Sequence, residues 1–308
     1  MRHYRTHRLI DIVGTAIVVA TALVAALSIP LAAQHEADEH GAARHEAQAG
    51  GVPLYDDLGT HVWDLGLPDP AARAYFDQGL RLYYAFNHPE AIRAFEEAAR
   101  LDPACGLCLW GKALAMGPNI NAPMPEEVGN AAAKVAREAR RRGGHGSARV
   151  EALLDALPLR YDASGGATRA ARDSAWAHAL GKIADRWPED ADLQVLRAEA
   201  LMTLDPWNYW TGEGAPRPDT PEVLERLERA LALESDHPGA NHFYIHAIEP
   251  VDPDRAVPMA ERLATLMPGA GHIVHMPGHI YIRVGRYLDA VRANEHAVHA
   301  DETFIRDQ

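Results

Sequence analysis

Cysteine is nearly missing from this chain of 308 residues. Only Cys105 and Cys108 occur, so no disulfide scaffold holds it together. Aromatic residues make up 7%, and no segment alternates apolar and polar positions, which argues against a sheet protein. Basic charge is in deficit, with 30 Lys and Arg against 43 Asp and Glu and a formal net charge of −13. A surface that acidic lacks the positive field that grips phosphate backbones, so nucleic acid is not an expected partner. Also missing are a phosphate-binding glycine loop, a nucleophile elbow and a Cys/His/Asn catalytic signature.

What is present is an ordinary globular balance of 47% apolar and 24% charged residues, rich in alanine. Alanine favours closely packed helices. Seventeen histidines are many, and their placement carries information.

Residues 1–33 have the pattern of a targeting segment. Arg2, Arg5 and Arg8 precede an apolar run in which Asp11 is the one charge. The pattern predicts an export signal cut near Ala33, or an uncleaved inner-membrane anchor, because residues 12–29 nearly span a bilayer. A buried core helix is the third reading, and the basic flank argues against it. The first two readings place the remainder in the periplasm or beside the inner membrane, with this segment the one membrane contact. Residues 34–68 are expected to be a histidine-containing linker and lead-in. His35, His40 and His45 recur every five residues and share no helical face. Over residues 34–51 a mobile linker is the reading, with loose metal scavenging as the alternative.

From residue 69 onward a helical repeat emerges. Gly79 marks a first helix, Ala91, Phe95 and Ala98 mark a second, and Pro103 ends it. Gly278, Tyr281, Gly285, Tyr287, Ala290 and Ala297 fill the same slots near the C-terminus, and Ala256, Ala260, Leu263 and Pro268 form another second helix upstream. Small residues let paired helices approach, and aromatics plug the gap. Degenerate helices are expected over 131–142, 170–187, 191–204 and 221–234, with glycine- or proline-rich breaks between them.

With this order of residues the chain resembles the tetratricopeptide repeat family over residues 69–308. It is most similar to a group of exported bacterial repeat proteins, through CGLCLWGKALAMGPNINAPM from Cys105, LDPWNYW from Leu204 and HIVHMPGHIYIRVGRY from His272. The resemblance implies an all-α solenoid of antiparallel helix pairs. Members of that group continue past this end, and no polar capping helix follows here, so the chain is expected to be part of a longer product.

Two histidine runs stand out. His242, His246 and Glu249 fall on one face of a first helix, and His272, His275 and His279 on one face of the next first helix, provided it continues through Pro277. First helices of adjacent repeats lie side by side, so at least three of these six side chains are expected to meet in one site. Imidazole suits zinc, copper or iron. The His-x3-His spacing matches zincin metalloproteases, but Phe243 stands where their glutamate base belongs, so proteolysis is not expected. The alternative for each histidine is ordinary packing with one nitrogen bonded to a carbonyl.

Cys105 and Cys108 form a CxxC pair at a helix start, read as a structural pair or local disulfide, with redox chemistry as the alternative. Asn119 and Asn121 in an interrupted stretch, and Trp207 and Trp210 in another, are candidate ligand-binding residues. Satisfying their own loops and capping the repeat core are the alternatives. The function expected is a non-catalytic scaffold holding a protein or peptide in a concave groove. The alternative is a metal-dependent enzyme or metal-handling protein built on the histidine cluster.

Overall fold

The computed structural model of the protein describes residues 51–144, 146–161 and 166–306. The export or anchor segment and His35, His40 and His45 lie outside them. The chain divides into two units, residues 1–51 and 52–308. Among the described residues no helix is long and apolar enough to cross a membrane.

From Pro70 on, the regular structure of the described residues is helical, in neighbouring antiparallel pairs. The first pair is α1 (Pro70–Tyr84) and α2 (His88–Leu101), and the second is α3 (Gly106–Ala115) and α4 (Glu126–Arg142). Then come α5 (Ala148–Tyr161) with α6 (Arg169–Arg186), and α7 (Ala191–Met202) with α8 (Thr220–Leu233). The last pairs are α9 (Pro238–Ile248) with α10 (Val257–Leu266), and α11 (Gly271–Arg283) with α12 (Tyr287–Arg306). This is the expected all-α solenoid. Local chemistry sets the starts: Asp69 accepts from Ala72 N ahead of Pro70, Thr168 from Ala171 N, and Asp190 from Leu193 N. Helix α5, with Pro158 inside it, has no counterpart among the helices expected from the pattern.

The small-residue slots work as anticipated. The buried ring of Phe95 on α2 wedges between Gly79 on α1 and Gly111 on α3. Ala91, Ala98 and Ala260 are likewise buried, as are Ala290 and Ala297. Helix α11 runs through Pro277 and Gly278 unbroken, because its lost hydrogen bond falls in the middle of a helix already pinned on both sides by α10 and α12.

Two features were not anticipated. Residues 52–68 have no regular structure, yet they bury Leu58, Trp63, Leu65 and Leu67, so the lead-in is a packed strap over this stretch. The inner face also closes on itself. Helix α1 reaches α9, with the Tyr84 hydroxyl donating to Asp192 on α7 and the Tyr84 carbonyl accepting from His242.

Candidate metal centre

Helix α9 turns His242 and His246 to one face and ends at Glu249. Helix α11 presents His272, His275 and His279 toward them. His242 Nε2 lies 3.0 Å from His272 Nε2 and 3.1 Å from His246 Nε2. On the outer side, His275 Nε2 is 2.9 Å from His279 Nε2, and His279 Nδ1 is 3.1 Å from Glu249 Oε2. Arg283 Nε donates to the same oxygen at 3.0 Å, and His246 Nδ1 stands 3.7 Å from Glu249 Oε1. The five imidazoles therefore form one contiguous cluster, with His242 and His246 buried and the three on α11 half-buried.

Hydrogen-bond partners assign the tautomers. A backbone carbonyl can only accept, so His242 donates from Nδ1 to Tyr84 O at 2.7 Å and its Nε2 carries the lone pair. That nitrogen can accept from one neighbouring imidazole, but two stand at hydrogen-bonding distance. Burial, reinforced by the neighbouring imidazoles, holds His242 and His272 well below the ordinary histidine range. Burial also lowers His246, with Glu249 pulling the other way, and lowers His275. All four thus favour the neutral form that binds metals. Burial pushes Glu249 up, but the neighbouring His246 and the hydrogen bond with His279 outweigh this and keep it a carboxylate.

Two aromatic residues border the cluster. Phe86 sits 4.5 Å from the His242 ring and 5.3 Å from the His272 ring, and the exposed Trp207 meets His246 edge-on at 5.0 Å. Both have left-handed backbones, φ +58° and +65°, and among the described residues they are the two non-glycines that do. Such strain concentrates at functional sites.

A second buried group joins His61 on the strap, Asp192 on α7 and His237 ahead of α9. His61 Nε2 is 3.0 Å from Asp192 Oδ1, and its Nδ1 is 3.0 Å from Glu234 Oε1. Here the tautomer works against a metal. His237 Nδ1 caps α9 by accepting from Ala240 N, so its proton sits on Nε2, 3.3 Å from Asp192. Burial alone would lower His61, but its two carboxylates raise it to about 9. The group is a charge network that ties the strap to α7 and α9.

The remaining candidates separate. Asn119 Oδ1 accepts from Asn121 N and Ala122 N, closing its own loop. Asn119 and Asn121 line a cleft of about 330 Å³ with Arg169 and Asp173. Trp210 donates to Ala247 O and pins its loop to α9, while Trp207 alone of the four lies beside the histidines. Cys105 and Cys108 are joined as a disulfide, and Cys105 Sγ also caps α3. No local signal marks Tyr84, Phe86 in the turn after α1, or Asn294 on α12, which reach the cluster from a distant part of the chain or from the pair partner of α11.

No protein-family model and no curated protein matches the chain. Among solved structures the fold is similar to that of the MamA protein, at 15% sequence identity and a TM-score of 0.36, over 77% of this chain and 94% of that one.

Proposed function

We propose that the protein is an exported helical-repeat scaffold that holds a transition-metal ion on the face shared by α9 and α11. The ligands are Nε2 of His242, His246 and His272. Their convergence carries the proposal. Nitrogens about 2.0–2.1 Å from a metal lie about 3.3 Å apart in a tetrahedral set and about 2.9 Å apart at right angles. The separations of 3.0 and 3.1 Å fall between these values. Zinc, copper and iron all accept three imidazoles. Three protein ligands leave room for an exogenous one, the pattern of a catalytic or transport site rather than a closed structural one.

Export is supported by the N-terminal pattern and by the Cys105–Cys108 disulfide, which suits an oxidising compartment. A role in binding protein partners is supported by the exposed apolar side chains of the last pair, among them Ile282, Leu288, Val291 and Val298.

The test is metal content of the full chain purified from an envelope fraction, followed by chelation and thermal unfolding with and without added Zn²⁺. Free metal at 100 times Kd stabilises by about 2.7 kcal/mol, which raises Tm by roughly 5–10 °C for a unit of this size. His246→Ala should lose the tightly held ion and most of the Tm shift. A wild-type chain that neither retains metal nor responds to zinc, copper or iron removes the proposal, and full-length protein in the cytoplasm removes its export arm.

A further inference from the structure

His275 and His279 are not needed for the inner set of three nitrogens, yet their geometry is as demanding. His275 Nδ1 lies 2.7 Å from Asn294 Oδ1 on α12. The Asn294 amide is itself fixed, because its Nδ2 donates to Ala290 O at 2.8 Å. Asn294 Oδ1 therefore accepts, His275 Nδ1 donates, and His275 Nε2 holds a lone pair. His279 Nδ1 donates to Glu249, a carboxylate also held by Arg283, so His279 Nε2 holds a lone pair as well. In the uncharged form of both rings, two lone pairs then face each other across 2.9 Å. A cation turns that repulsion into two bonds. The separation matches the roughly 2.9 Å expected for neighbouring nitrogens at right angles around a metal.

We infer that the His275–His279 pair holds a second cation beside the buried one, with Glu249 orienting His279 and facing His246 rather than acting as a ligand. This rests on the metal centre proposed above and deepens it. Carboxylate–histidine–metal chains of this kind fix the ring and raise its basicity. One carboxylate facing an imidazole of each set couples the two positions. His279 is half-buried, with 27% of its side chain exposed, so the outer ion is the accessible one. Only two protein nitrogens hold it, which leaves positions open for a small exchangeable ligand with oxygen or nitrogen donors.

The experiment is calorimetric titration of the chelated full chain with Zn²⁺, paired with metal counts after desalting. The readout is the difference between wild type and His275→Gln, since His35, His40 and His45 also offer imidazoles. His275→Gln should lose one equivalent and keep the tighter one, while His242→Ala should lose the tighter one. Asn294→Ala keeps every nitrogen but frees the His275 ring, and it should weaken the second equivalent about tenfold or more without touching the first. Glu249→Gln should weaken both and remove neither. The second site is overturned if His275→Gln and Asn294→Ala bind as wild type does while His242→Ala loses the bound ion, an outcome that leaves the inner centre standing. Absence of binding in wild type overturns both. Complete loss of one ion in Glu249→Gln with the other unchanged overturns the role given to Glu249.

Discussion

Replacing Gly111 by alanine sets two effects of known sign against each other. Gly111 lies inside α3, and alanine there gains about 1 kcal/mol of helix propensity. A Cβ built on it, however, would stand 2.5 Å from Phe95 Cδ1 and 2.8 Å from Cζ, where carbon contacts are ordinarily about 3.5–4.0 Å. Phe95 cannot yield easily: it is fully buried, and Phe76 packs against it at 5.4 Å between ring centroids. Overpacking costs about 1–3 kcal/mol, and overlap near 1 Å with a trapped ring belongs at the upper end. Gly111→Ala should therefore lose about 2 kcal/mol net. Gly79→Ala, whose Cβ would meet the same ring at 2.8 and 2.9 Å, should lose less. Gly129→Ala is the control, because its Cβ meets only the flexible end of Met124, so the helix gain survives and the variant is stabilised by about 0.5–1 kcal/mol. Urea unfolding followed by far-UV circular dichroism ranks the three. Adding Phe95→Leu to Gly111→Ala should cost less than Phe95→Leu alone costs the wild type, since the smaller side chain relieves the overlap. A wedged Phe95 is refuted if Gly111→Ala is as stable as Gly129→Ala, or if the two substitutions simply add.

The His61 network makes stability depend on pH. His61 rises from 6.5 to about 9 on folding, so its contribution is fully present below about pH 6.5 and is lost as pH rises through about 9. The loss is about 3 kcal/mol. Unfolding between pH 6 and 10, compared with His61→Asn, measures it, and an unchanged slope in the variant would falsify the assignment. Arg160 is buried, 3.8 Å from the buried Glu199, and it donates to Pro118 O. Arg160→Ala should cost about 3–5 kcal/mol by leaving Glu199 uncompensated, and Arg160→Ala with Glu199→Leu should recover much of it. A single variant as stable as wild type would show that the pair does not matter.

Much of the architecture was legible because it rests on local chemistry. Ala91, Phe95 and Ala98 recur at spacings set by one turn of helix, and Gly79 stands in the helix before them, so the paired-helix solenoid could be read from them. The same periodicity put His242, His246 and Glu249 on one face and His272, His275 and His279 on another. Helix α5 was missed because Pro158 breaks the pattern, although the proline falls near the helix end. Tertiary structure alone decided the rest. Whether Pro277 bends α11 depends on what packs against it, and α10 and α12 hold it straight. That α1 returns to meet α9 is a property of the whole superhelix, and it brings Tyr84 and Phe86 to histidines some 160 residues away. Above all, the proton positions were invisible in sequence. Tyr84 O, Asn294 and Glu249 leave lone pairs on the Nε2 atoms of His242, His275 and His279, whereas Ala240 N leaves a proton on that of His237. A histidine's usefulness to a metal is set by what its other nitrogen touches, and that contact comes from a distant part of the chain.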